Sequence, residues 1–126
     1  MKKELSDRKD VELLVNSFYD QVKQDETIGY IFNDVAEVDW SSHLPIMYSF
    51  WEMMLFGTGS YKGDPMTKHI ELSKKTTLDS KHFERWKEIF AQTVNEHFYG
   101  PKAEEAKQRA SHIASLMLYR IEQNKK

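Results

Sequence analysis

Five histidines, His43, His69, His82, His97 and His112, and a complete lack of cysteine bound the chemistry open to this 126-residue chain. No two of these histidines stand four apart, so no helix presents the His-x-x-x-His pair of a zinc site. A di-iron bundle needs two Glu-x-x-His pairs, and the nearest approach is a lone Asp79-x-x-His82. Without cysteine there is no disulfide, no thiol nucleophile, no Cys-rich zinc site and no covalent Cys-x-x-Cys-His anchor. Ser, His and Asp occur, yet no serine stands in a nucleophile elbow. No glycine-rich loop leads into Lys-Ser or Lys-Thr, and Gly57-Thr-Gly59-Ser follows a helical pattern rather than a strand, so phosphate binding has little support.

The remaining chemistry depends on which elements carry the histidines and aromatics. Val11, Leu14, Val15, Phe18 and Val22 recur at helical spacing, with Glu12, Asn16, Asp20 and Lys23 facing water. Tyr19, four residues after Val15, borders the buried stripe. This helix should fade by Gly29, and Tyr30-Ile-Phe32 forms a short apolar cluster closed by the turn pair Asn33-Asp34. A second helix is expected from about Ser41 to Phe56, with Pro45 in its first turn and a cap between Asp39 and Ser42. On it His43, Met47, Phe50 and Met54 share one side, while Leu44, Tyr48, Trp51 and Leu55 share the next, so the helix should be buried on two sides.

Glycines at 57, 59 and 63 make a loop or hinge. Asp64-Pro65 then starts a two-turn helix ending at Leu72, with His69 in its middle. Phe83, Trp86, Phe90, Val94 and His97 trace a longer helix. Gly100-Pro101 ends it and begins the last, traced by Ala103, Ala106, Ala110, Ile113 and Met117. No strand, repeat or low-complexity tract emerges. The pattern predicts one all-α domain over residues 1–126, with 1–9 and 122–126 as frayed ends.

Eighteen basic and twenty acidic residues leave a net charge of −2, so no field gathers nucleic acid. No apolar run approaches the ~20 residues of a bilayer span, and the N-terminus lacks a signal-peptide pattern; a cytoplasmic protein is expected. Aromatic residues make up 13% of the chain, and six methionines add adaptable bulk suited to an irregular or flat apolar pocket. His43 on an apolar helical face and His69 beyond a flexible loop could approach a flat ligand such as haem from opposite sides, one imidazole on the iron and one facing the open site. Taken alone, each reads more readily as a partly buried structural or surface histidine, and the aromatic stripes as ordinary core. That alternative is a cofactor-free helical interaction module.

The ordered motifs favour haem. The run from His43 to His69, through Phe50-Trp51-Glu-Met-Met-Leu-Phe-Gly57 and Tyr61-Lys-Gly-Asp-Pro65, resembles the central segment of the group III truncated haemoglobins. So do Phe18-Tyr19, Ile31-Phe32, His82-Phe-Glu-Arg-Trp86 and Gly100-Pro-Lys-Ala-Glu-Glu-Ala-Lys, which extends the resemblance from about Val11 to Met117. It implies a two-over-two helical sandwich around non-covalent haem b. It also implies His69 as the proximal iron ligand, Tyr19, His43 and Trp86 as the distal set, and Phe32 at the haem edge. Met47, Phe50 and Trp51 would line the cavity, with Tyr61, Lys68 and His82 as candidates for the propionates. The implied ligands are O2, NO and CO, with a reductase as a further partner.

A phenol O–H or an indole N–H aimed at a polar bound gas is a favourable donor, and each such bond contributes on the order of 1–2 kcal/mol. Two donors would slow release. Slow release suits NO dioxygenation, peroxide handling or ligand sensing better than oxygen delivery. His69→Gly is expected to lose haem or leave it exchangeable, with added imidazole partly restoring the spectrum; an unchanged ferrous spectrum at full occupancy would contradict the proximal assignment.

Overall fold

A computed structural model of the chain describes residues 2–35, 40–57 and 78–124. Helix α1 spans Arg8–Gln24 because its apolar residues repeat on one face: Val11, Leu14, Val15, Phe18 and Val22 are all buried. Asp7 caps it, its carboxylate accepting the Asp10 N–H at 3.0 Å. The helix stops at Asp25, whose backbone N–H reaches Val22 O.

A tight corner follows. The Asp25 carboxylate accepts the N–H groups of Thr27 and Ile28, and a π-helical turn then runs over Ile31–Val35. A side chain at Gly29 would meet the carbonyl oxygens of Val22 and Lys23 at 3.0 Å, so glycine lets the corner fold back on the end of α1. Asn33 Nδ2 closes the same contact by donating to Lys23 O at 3.0 Å. The expected apolar cluster therefore exists as a packed turn, with Ile28 and Ile31 buried and Phe32 half-buried.

Helix α2 spans Trp40–Phe56. Helical geometry already at Trp40 places Ser41 and Ser42 inside the helix rather than at its cap. It also moves Pro45 into the second turn, where the ring removes the N–H that would have reached Ser41 O. Trp51 and Leu55 are buried, whereas His43, Met47, Phe50 and Met54 are half-buried along the other stripe. Beyond Gly57, the rest of the expected loop and the two-turn helix to Leu72 fall outside the described residues, and with them Tyr61, Lys68 and His69.

Helices α3 (Ser80–His97) and α4 (Pro101–Asn124) form a hairpin through Phe98–Gly100. Gly100 turns it with a φ of 98°. The α3 stripe buries Phe90 and Val94, and the α4 stripe buries Ala103, Ala106, Ala110, Met117 and Ile121. At the start of α3, His82 stands where Glu or Gln usually completes a capping box: its Nδ1 accepts the Asp79 N–H at 3.1 Å.

The ends differ from expectation. Lys3–Glu4 (β1) pairs in parallel with Phe98–Tyr99 (β2), which the sequence pattern did not suggest. Leu5 is only 2% exposed, and the Asp10 carboxylate accepts bonds from Ser6 N–H and Oγ and from the Lys3 ammonium at 2.7 Å. The first residues are thus tied to the α3–α4 turn where fraying was expected through residue 9. At the other end α4 continues to Asn124 rather than loosening from residue 122. Among the described residues no helix is long and apolar enough to cross a membrane.

Three polar links join α1 to α2: Arg8 Nη1 to Glu52 Oε1 at 2.9 Å, the Tyr48 hydroxyl to Asn16 Oδ1, and Tyr19 to His43. They ascend α1 as they descend α2, so the two helices lie antiparallel. The Phe18 and Phe90 rings, with centroids 5.2 Å apart, seat α1 on α3 as well.

Arg85 Nε on α3 donates to Asp25 Oδ1 at 2.7 Å, pinning the corner to α3. Burial would raise the Asp25 pKa, but the bonds from Arg85 and from the Ile28 and Thr27 N–H groups hold it below the ordinary carboxylate value. A depressed folded-state pKa contributes stability present above the unfolded carboxylate pKa and lost as pH falls through the folded one. Arg85→Met should therefore cost roughly 1–2 kcal/mol near neutral pH in urea unfolding, and the deficit should shrink as the pH falls below about 4. A deficit independent of pH would contradict the role given to this pair.

Candidate ligand-binding site

The corner, α1 and the start of α2 converge on one hydroxyl. Tyr19 is 7% exposed, and its ring is met edge-on by Phe18 (4.9 Å between centroids), Phe32 (5.9 Å) and His43 (5.3 Å). Trp40 closes the group, 5.1 Å from Tyr19, 5.6 Å from His43 and stacked on Phe32 at 6.2 Å. Within this box, Tyr19 Oη lies 3.4 Å from His43 Nε2. The contact is a hydrogen bond whose donor depends on the imidazole tautomer. Burial raises the Tyr19 pKa well above the ordinary phenol value, so the group is a neutral O–H at physiological pH.

A second aromatic group backs the first. Trp51 stacks on Phe90 at 4.8 Å and 20°, and Phe90 stacks on Trp86 at 5.8 Å and 11°. Phe18 joins the two groups, touching Trp86 edge-on at 5.6 Å as well as Tyr19. Trp86 is half-buried beside buried Phe90. Phe50 packs edge-on against Trp51 at 5.4 Å, and Met47 is a half-buried side chain packed on the core.

Of the residues expected to form the site, Tyr19, His43 and Phe32 thus meet directly. Trp86 is one ring away through Phe18, and Trp51 and Phe50 sit behind it. His69 lies outside the described residues. His82 has its Nδ1 in the α3 cap and its Nε2 3.5 Å from the Tyr30 hydroxyl. The sequence reading missed Trp40; its signal was its place three residues before His43, on the same helical face. It also missed the Asp25–Arg85 pair, whose members no local spacing connects.

Chemically, this is a largely apolar aromatic wall with one dry phenol, one imidazole and the indole N–H groups of Trp40, Trp51 and Trp86. It can offer hydrogen bonds to a small polar ligand while excluding water. A known family has this architecture: the profile of the bacterial-like globins matches residues 4–119. The chain is 32% identical to the group 3 truncated haemoglobin ctb of Campylobacter jejuni over 126 residues, covering 95% of this chain and 97% of the relative. It is also 32% identical, over 87 residues and 68% of either chain, to the group 1 truncated haemoglobin GlbN of Synechocystis. The crystal structure of the group III truncated haemoglobin from Campylobacter jejuni superposes with a TM-score of 0.83 at 30% identity, covering 96% of this chain and 95% of that one.

Proposed function

The chain belongs to the bacterial-like globin family as a truncated haemoglobin of the third group, and on that premise we propose that it retains O2 and related diatomic gases through the distal set Tyr19, His43 and Trp86, with hydrogen bonds from Tyr19 and Trp86 and His43 orienting the Tyr19 hydroxyl. Haem is the cofactor the family implies, and when bound it supplies a ferrous iron able to take up such a gas. The described residues suit a flat apolar group: Phe32, Met47, Phe50, Phe83 and Trp86 are packed on the core yet only partly buried. His69 is the residue we assign to hold the iron. Among the described histidines, His82 is engaged at the α3 cap and His43 at Tyr19.

The reading is carried by one observation: the Tyr19 hydroxyl, buried and neutral, within 3.4 Å of His43 Nε2. When the imidazole donates to Oη, the phenol hydrogen is free to point at a ligand, and the first bond polarises the second. The Trp86 N–H adds a second donor from α3. The surrounding rings keep water from competing, which raises the worth of each bond. A ligand held this way leaves slowly, so we assign the protein to redox work on the gas, NO dioxygenation or peroxide handling, or to ligand sensing. A reductase and a cytoplasmic setting belong to the same reading.

Tyr19→Phe removes only the hydroxyl, and Trp86→Phe removes the indole N–H with a modest change in volume. Each should speed O2 release about tenfold, the equivalent of roughly 1.4 kcal/mol. CO release should change far less, because bound CO is a weaker acceptor. The double variant should depart from the sum of the singles if both donors serve one ligand. Stopped-flow release of the two gases decides it: equal changes, or none, would mean that these side chains only fill the pocket.

A further inference from the structure

Trp40 touches three of the residues on which the site is built. Its ring lies 5.1 Å from Tyr19, 5.6 Å from His43 and 6.2 Å from Phe32. These residues sit on three separate elements: α1, α2 and the corner between them. On its other contact, Lys23 Nζ lies 4.4 Å from the indole centroid, a cation–π distance. The Lys23 carbonyl is in turn held by Asn33 Nδ2. The indole is therefore held by the Tyr19, His43 and Phe32 rings and by the Lys23 ammonium, and the backbone carbonyl of the same lysine is tied to the corner that carries Phe32.

We propose that Trp40 is a positioning residue for the distal donors. Clamped by Lys23, it fixes the Tyr19 hydroxyl and the His43 imidazole in the orientation that presents a hydrogen to the ligand. The inference rests on the reading of Tyr19 as a distal donor.

The geometry gives a reason for each part. A tyrosine turns about χ1, χ2 and its C–O bond; staggered wells and the helix restrict χ1, contacts on the ring restrict χ2 and the tilt of the ring, and the hydroxyl hydrogen can turn toward His43 or the ligand. Phe18 packs one edge, and Phe32 packs another. Trp40 supplies the contact that faces α2, and it is also a neighbour of the His43 ring. Losing it would remove a ring packed on both Tyr19 and His43, so the two side chains could tilt relative to each other and their 3.4 Å contact would no longer select one arrangement. Burial of Tyr19 depends on the same plate, since Trp40 and Phe32 cover it from the corner side. Trp40 need not touch the ligand for any of this.

The test compares Trp40→Leu, Trp40→Phe and Lys23→Met with wild type and Tyr19→Phe in the haem-loaded protein. Three readouts are taken: O2 and CO release, the carbonyl stretch of the CO complex in the infrared, and the ultraviolet titration of tyrosinate. Trp40→Leu should speed O2 release roughly three- to tenfold and CO release less than about twofold, the scale of an aromatic edge contact. It should shift the carbonyl stretch in the direction that Tyr19→Phe shifts it, and bring one more tyrosine into the ordinary phenol range. Trp40→Phe, which keeps an aromatic plate, should restore most of each change, and Lys23→Met should give a smaller version of the Leu variant. In a Tyr19→Phe background Trp40→Leu should add no selectivity.

Equal acceleration of both gases, or a selective effect that persists without the Tyr19 hydroxyl, would overturn the proposal. Should Trp40→Leu fail to fold, Trp40→Phe and Lys23→Met carry the same comparison. If Tyr19→Phe itself changes neither gas, the donor reading fails. The titration then decides for Trp40 alone, and a curve identical to wild type for Trp40→Leu would sink the inference.

Discussion

Everything in this molecule answers to the cost of burying one phenol hydroxyl. A hydroxyl taken from water into an apolar setting without a partner costs a few kcal/mol. Tyr19 has its partner in His43, and the rings of Phe18, Phe32 and Trp40 keep it dry. Dryness is also what makes the group useful. A neutral O–H with no competing water is a strong donor to a small polar ligand, whereas an exposed phenol would spend its hydrogen on solvent. Stability and function therefore draw on the same burial.

Holding that arrangement takes elements far apart in the chain. Helix α1 carries Tyr19, the corner brings Phe32 back over it, and α2 brings Trp40 and His43. The corner cannot drift, because Asp25 binds its own turn and Arg85 of α3. The same Arg85 adjoins Trp86, so one ion pair sets the register between the corner and the α3 turn that carries Trp86. At the opposite end, Lys102 Nζ on α4 donates to Leu55 O, closing the C-terminus of α2 where the chain leaves toward His69. The N-terminal ladder seals the α3–α4 turn, with buried Leu5 as its anchor. These ties cluster at element ends, where backbone groups would otherwise lack partners.

How much of this was legible depended on range. The stripes Val11–Val22, Phe83–Val94 and Ala103–Met117 are strictly periodic, and the structure has helices over each of them. Tyr19 at the border of its stripe and His43 on an apolar face could be read the same way, as could Phe32 in a short apolar cluster. Trp40 could not, because it fell in the uncertain start of α2, where Pro45 argued for a later beginning. The π-helical turn was hidden because its five residues show neither a 3.6 nor a 2.0 period. Asp25–Arg85 and Lys3–Glu4 with Phe98–Tyr99 are long-range pairings, which no local pattern encodes. The resemblance of the ordered motifs supplied the functional reading; spacing alone left a cofactor-free helical module open.

The central claim is that the Tyr19 hydroxyl donates directly to a gas held in the haem-loaded protein. Its most direct measurement is the distance from Tyr19 Oη to the outer atom of O2 in a crystal structure of the oxygenated ferrous form. The account predicts a separation in the hydrogen-bonding range, about 2.5–3.0 Å, with His69 on the opposite side of the iron. A hydroxyl turned away from the gas, beyond about 4 Å, or iron held by a histidine other than His69, would contradict it.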